Sequence, residues 1–381
     1  MIAAALLAVQ TIALAVLVLR LLPGRRRRAP VEPLAREISD TSVSVVVATL
    51  NEAHRLEPCL NGLVAQGRPL AEVLVVDSRS SDGTRELVER AARRDPRIRL
   101  LTDDPLPGGW VGKVWALEHG LRAATSEWVL GIDADTAPVP GMIAGAVAAA
   151  RDGNWSVASF SPRFAGQTTA EQFLQPAMLV TLVYRGGVVG AEPDPERVMA
   201  NGQCFLARRD VLLRHGGYAP ARSSFADDVT LARHLSRRGE RVGFLDGSRL
   251  YTVRSYRSAQ EMWREWGRSL DLKNATAPVR QWLDLGFLVS IQVLPLWIVA
   301  ATLIHGAPRT PVTLALLAVN AMALCIRVLL LWPLSRAYDE TRWTFWLSWL
   351  ADLPAVARIV ISTVTRRRAW RGRVYAPRFD G

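Results

Sequence analysis

The sequence predicts an α/β domain: a mostly parallel sheet with helices on both faces, and transmembrane helices at both ends of the chain. Three observations carry this. Short β-branched runs alternate with helical stretches between residues 41 and 274; bilayer-length apolar runs lie outside that region; arginines crowd beside those runs. The 381 residues are 50% hydrophobic and 22% charged, a balance that excludes a disordered chain.

The first element is Ile2 to Leu22, with no charged residue before Arg20. At about 1.5 Å per residue it reaches roughly 30 Å, the thickness of a bilayer core. No basic residue precedes the run and Arg25 to Arg28 follow it. Residues 1–24 therefore read as a retained anchor with its N-terminus outside, and 25–40 as a basic linker in the cytoplasm. Two further spans are expected at 286–306, with Pro295 inside, and at 311–334, where Arg327 sits near enough to the cytoplasmic end to snorkel. The apolar stretch 343–364 carries Asp352, Pro354 and Arg358. As a full span it would place the arginine-rich tail 365–381 outside, so it reads as an interfacial or re-entrant helix, an ordinary fourth span being the alternative.

The net charge is +12, from 47 Lys and Arg against 35 Asp and Glu. The excess sits in blocks beside apolar runs rather than among aromatics on a folded surface, which favours a membrane neighbour and no nucleic acid. Three distant cysteines form neither a disulfide framework nor a zinc pattern.

Within 41–274 the expected order is strand Val43–Leu50, helix Glu52–Gln66, strand Val73–Asp77, helix Thr84–Arg94, strand Ile98–Thr102, helix Gly112–Ala124 and strand Trp128–Ile132. Ligands of such sheets bind beyond the carboxyl ends of the strands. The first strand leads into Thr49-Leu50-Asn51-Glu52-Ala53, without the glycines a dinucleotide site requires, and a P-loop pattern is also absent.

Acids occupy the strand ends instead. Asp77 closes the second strand, where a carboxylate can accept from a base or ribose; Asp82 in the following turn reads as a helix cap. Asp133-Ala134-Asp135 leaves the fourth strand, and two carboxylates so spaced can share Mg2+ or Mn2+ on a diphosphate. Asp227-Asp228 opens a helical stretch. Adjacent carboxylates raise one pKa toward the range of a general base, although acids there also suit the helix dipole.

In that order these motifs resemble family 2 glycosyltransferases, inverting enzymes with the GT-A, Rossmann-like fold. The resemblance covers about Ser42 to Asn274 and implies a nucleotide-diphosphate sugar as donor. It implies that Thr49, Glu52 and Asp77 hold the nucleoside and that Lys113 lies by the nucleotide. Asp133 would contact ribose or metal, Asp135 would ligate Mn2+ or Mg2+, and Asp228 would be the base with Asp227 beside it. The segments Leu106–Lys113, Met199–Leu206 and Trp263–Leu270 look closest to bacterial membrane enzymes that glycosylate carotenoid or hopanoid lipids. An apolar lipid acceptor and a bacterial inner-membrane location with a cytoplasmic catalytic domain follow from that likeness. Gln203, Trp263, Arg264, Trp266 and Arg268 are the acceptor or diphosphate candidates; the last four lie on an expected interfacial helix, 258–272. Processive synthases carry Gln-x-x-Arg-Trp on such a helix, whereas here Trp263 precedes Arg264, against a polymer product. A polyprenyl-phosphate or glycerolipid/ceramide-type glycosyltransferase and a catalytically inactive scaffold are the remaining alternatives.

Overall fold

A computed structural model describes the chain except residues 192, 193, 255, 257, 270, 271, 307–309, 366–368, 371, 372 and 375–381 and the side chains of 268, 269, 369, 370, 373 and 374. It divides into two compact units. One comprises Arg28–Ala165, Glu192–Ser255 and Arg367–Gly381, the other Met1–Arg27, Gly166–Ala191 and Tyr256–Arg366. The expected uninterrupted 41–274 block is thus divided, with 166–191 grouped among the apolar helices.

The first unit is built on β1 (Val43–Thr49), β2 (Leu70–Asp77), β3 (Ile98–Thr102), β4 (Trp128–Asp133), β5 (Thr136–Pro138), β6 (Val157–Ser161), β7 (Arg163–Phe164), β8 (Cys204–Arg208), β9 (Val242–Asp246) and β10 (Tyr251–Val253). Seven form one sheet in the order β3-β2-β1-β4-β8-β6-β9; β5, β10 and β7 form a second. Strands β3, β2, β1 and β4 run parallel, and β8 is antiparallel to both β4 and β6. The sheet is mostly parallel, as expected. Alternation along β1 sends Val43, Val45 and Val47 to one core and Val46 to the other. Helices Leu56–Val64 and Met142–Asp152 cover the first face; Gly112–Ala123 and Asp227–Arg237 cover the second. Gly120 is required where the third of these meets β1, because a Cβ there would fall 2.3 Å from Val46.

Two local differences from the sequence reading stand out. The first helix begins at Leu56, not Glu52, and the N–H groups of Glu52 and Ala53 donate to Thr84 Oγ1 at 2.9 Å and Asp82 Oδ2 at 3.0 Å. Residues 30–39, expected as a linker, run along the sheet unit: Val31 N donates to Asp246 O at 2.8 Å and Leu34 N to Gly141 O at 3.0 Å. Gly141 and Gly145 admit that segment, since a Cβ at either would stand 2.3 Å from its backbone.

In the second unit, three helices among the described residues are long and apolar enough to cross a membrane: Ile2–Arg26, Pro278–His305 and Pro311–Ser335. The middle one starts eight positions before the expected 286 and contains a π-helical turn, Val289–Val293, just ahead of Pro295, which has no N–H to continue the ladder. The stretch 343–364 breaks into Trp343–Trp346, Ser348–Ala351 and Asp352–Val364. Arg327 does not snorkel. It is 1% exposed, and its Nε donates to Asp352 Oδ1 at 3.0 Å and Oδ2 at 2.8 Å. An acid from a helix twenty-five positions later neutralises it in place of interfacial water.

Candidate active site

The sheet unit gathers its acids where β1, β2 and β4 end. Asp77 is fully buried and accepts from Thr49 Oγ1 at 3.2 Å, Ser80 N at 3.1 Å and Arg85 Nη1 at 3.2 Å. That loop is tightened by Asn51 (φ 57) and Arg79 (φ 65), with Asn51 Oδ1 accepting from Ser81 N at 2.9 Å. Asp82 ties the loop together: it accepts from Ala53 N and from both N and Oγ1 of Thr84, while Gly83 (φ 92) is the residue at the helix N-cap. Burial would raise the Asp82 carboxyl, but these donors hold it below the usual carboxylate range. Its duty is structural.

Glu52 is buried and paired with Arg55, whose Nη1 also stands 3.9 Å from Asp135 Oδ2. Arg55 thus links the end of β1 to the Asp133-Ala134-Asp135 segment, a role the sequence reading missed. The Glu52-x-x-Arg55 spacing was the available signal. The backbone of that segment is held by Thr136 Oγ1 on Asp133 O at 2.8 Å and by Arg254 N on Asp135 O at 3.4 Å.

Lys113, in the first turn of Gly112–Ala123, places Nζ 2.6 Å from Asp133 Oδ1. Burial alone would lower its proton affinity. Asp133, Asp227 and Asp228 outweigh that and raise it above the ordinary lysine value. Asp228 opens helix Asp227–Arg237, with Oδ2 accepting from Gly202 N at 2.6 Å and Oδ1 from Val229 N at 2.8 Å. Burial, reinforced by Asp227, pushes the Asp228 carboxyl up to about 6, with Lys113 and the two N–H groups acting against it.

Gly202 joins the two halves. A Cβ there would lie 3.2 Å from Lys113 Nζ and 3.5 Å from Asp228 Oδ2, so the ammonium and the carboxylate flank one methyl-sized space. Its neighbours are held firmly. Asn201 N donates to Ser159 Oγ at 2.7 Å, Gln203 N to Asn201 Oδ1 at 3.0 Å, and Asn201 Nδ2 to Gln203 Oε1 at 3.1 Å. Asp133 N donates to Gln203 O at 3.4 Å, so Gln203 supports this loop.

Lys113, Asp133, Asp227, Asp228 and the Gly202 backbone therefore form one charged cluster, with Glu52, Arg55 and Asp135 linked to its edge. Trp263, Arg264 and Trp266 belong to the apolar unit, on helix Ala259–Ser269. Trp266 is buried there against Tyr256, Arg264 is exposed, and Arg358 Nε donates to Trp263 O at 2.8 Å. The side chain of Arg268 lies outside the described residues.

Residues 44–216 match the family described as Glycosyl transferase family 2. That match takes in a little under half of the chain. The succinoglycan biosynthesis protein ExoA of Rhizobium meliloti is 29% identical over 61% of this chain and 69% of its own length. The undecaprenyl-phosphate mannosyltransferase of Micrococcus luteus is 37% identical over 20% of this chain and 33% of its own. This chain spans about a third of the length of most of the curated relatives it matches. The mannosyltransferase PcManGT from Pyrobaculum calidifontis, solved with GDP-Man and Mn2+, superposes with a TM-score of 0.55 at 21% identity, over 95% of this chain and 99% of that one. That likeness establishes a shared fold, and the match of residues 44–216 together with the glycosyltransferase relatives supports a transferase.

Proposed function

We propose that the chain is a membrane-bound inverting glycosyltransferase that moves one sugar from a nucleotide-diphosphate sugar to a hydroxyl of a carotenoid or similar isoprenoid lipid. The observation that carries this reading is the Asp228 carboxylate facing Lys113 across Gly202, with Lys113 in turn on Asp133. A carboxylate with its pKa raised to about 6 is ionised at neutral pH yet basic enough to take a hydroxyl proton. The acceptor oxygen then bonds to the anomeric carbon from the face opposite the diphosphate. The carbon–oxygen bond to the diphosphate breaks, its electron pair leaves with the nucleotide, and an α-linked donor gives a β-linked product. Thr49, Glu52 and Asp77 shape the nucleoside end of the cleft, and Lys113 supplies a fixed positive charge for the departing diphosphate.

Asp135 and Asp133 would hold Mn2+ or Mg2+. An ion there would take its remaining oxygens from diphosphate and water. Such an ion, when bound, neutralises charge on the leaving diphosphate.

The three apolar helices and the Arg25–Arg28 block support a bacterial cytoplasmic membrane location with the sheet unit inside the cell. A phosphate-ended acceptor is the second reading, favoured by the resemblance to the undecaprenyl-phosphate enzyme. A phosphate is already an anion and needs no base, so the raised carboxyl of Asp228 favours a hydroxyl. Mass spectrometry of lipid extracts from a host with and without the gene tests both. The expected product is a neutral isoprenoid lipid heavier by one hexosyl or deoxyhexosyl group. A glycosylated polyprenyl phosphate as the only gene-dependent species would establish the second reading and overturn the first.

A further inference from the structure

The apolar unit contains polar side chains that the transfer reading does not use. Arg327, Asp352, Gln292 and Tyr184 are each at most 3% exposed and come from four different helical segments. Gln292 lies in the π-helical turn, a distortion frequent at functional sites, and its Nε2 donates to Asp352 Oδ1 and Ala177 O at 3.0 Å each. Arg327 spends only Nε on Asp352, through both carboxylate oxygens. Its Nη1 and Nη2, the Tyr184 hydroxyl and Gln292 Oε1 are buried with no hydrogen-bond partner among the described residues. Tyr184 belongs to the same buried apolar cluster as Ile291 and Val293, which flank Gln292, and Ala351, which precedes Asp352.

Buried donors of this kind are costly unless something accepts from them. The unmet atoms are mostly donors, so the missing partner is rich in oxygen. Asp352 already neutralises Arg327. An added phosphate would therefore leave a net negative charge in apolar surroundings, whereas a hydroxyl or carbonyl oxygen adds none. The helix bearing Arg327 is one of three, among the described residues, long and apolar enough to cross a membrane, and its exposed side chains include Val328 and Leu329. A ligand whose tail rests on that surface is itself apolar.

We infer that Arg327, Asp352, Gln292 and Tyr184 form a binding site for the neutral, oxygen-bearing end of an apolar lipid. The site is distinct from the charged cluster of the sheet unit and stands whether or not that lipid is the acceptor.

The test uses the full chain in lipid nanodiscs and three probes with one isoprenoid tail: geranylgeraniol, geranylgeranyl monophosphate and the corresponding hydrocarbon. Binding is read by native mass spectrometry. The alcohol should bind roughly tenfold more tightly than the hydrocarbon, about the worth of one buried hydrogen bond. Tyr184→Phe and the double variant R327M/D352L should each remove that preference; if the double variant fails to fold, Tyr184→Phe decides alone. D228N should keep the preference while losing transfer, which separates this site from the proposed reaction. Equal binding of alcohol and hydrocarbon would mean that the cluster holds only water and would overturn the inference. So would tighter binding of the phosphate than of the alcohol, or a preference unchanged in Tyr184→Phe.

Discussion

Lys113 Nζ lies 2.6 Å from Asp133 Oδ1, and the same ammonium faces Asp228 across Gly202. One cation therefore serves two carboxylates to which the proposed reaction gives different tasks. Removing it in Lys113→Met takes positive charge from the diphosphate position and from beside Asp228. Donor KM should rise, and the acid limb of the pH profile should move to higher pH, because Lys113 lowers the Asp228 pKa. Steady-state kinetics across pH measure both effects, and an unmoved limb would separate Lys113 from Asp228.

The wild-type profile has a sign fixed by Asp228. The proposed base works as carboxylate, and burial beside Asp227 raises its pKa to about 6. The rate constant kcat/KM should fall as pH drops through that value and level off above it. A profile flat from about one unit below to one unit above would remove Asp228 as the titrating base.

Gly202→Ala places a methyl 3.2 Å from Lys113 Nζ and 3.5 Å from Asp228 Oδ2. The first contact is tight but meets the flexible end of a lysine, so the fold should tolerate it. The expected outcome is a lower kcat with the melting temperature nearly unchanged. A parallel loss of folding would instead make Gly202 a packing residue.

The buried pair in the apolar unit gives a stability prediction. Arg327→Met alone leaves the buried Asp352 carboxyl without its cation, at a cost of about 3–5 kcal/mol. R327M/D352L should recover most of that, since apolar replacement of both members of a buried pair is often neutral. Thermal unfolding in detergent compares the two, and equal destabilisation would show that the pair is not a unit.

The alternation of strands and helices up to β4 was legible because β-branched runs and acids mark the strands: β3 and the helix Thr84–Arg94 match their expected bounds. What escaped the sequence depends on contacts between distant positions. Nothing near Glu52 announces that Thr84 and Asp82 will take the N–H groups of the expected first helical turn. Gly202 is one of 27 glycines, and its importance lies in what a side chain there would touch. Arg327 looked like a snorkelling residue because its partner, Asp352, lies in a segment whose polar residues argued only against a span. That Asp133, Asp227 and Asp228 gather around Lys113 needed the fold.

Transfer assayed in membranes tests the central claim most directly. Membranes bearing the wild-type chain, Asp228→Asn or Asp135→Ala are incubated with Mn2+ and radiolabelled UDP-, TDP- and GDP-sugars, and the organic phase is counted. Label should reach a neutral lipid with the wild type and one of these donors. It should fall by about 10²-fold or more in Asp228→Asn and vanish in Asp135→Ala, with all three proteins inserted equally. Wild-type label in either variant would contradict the account.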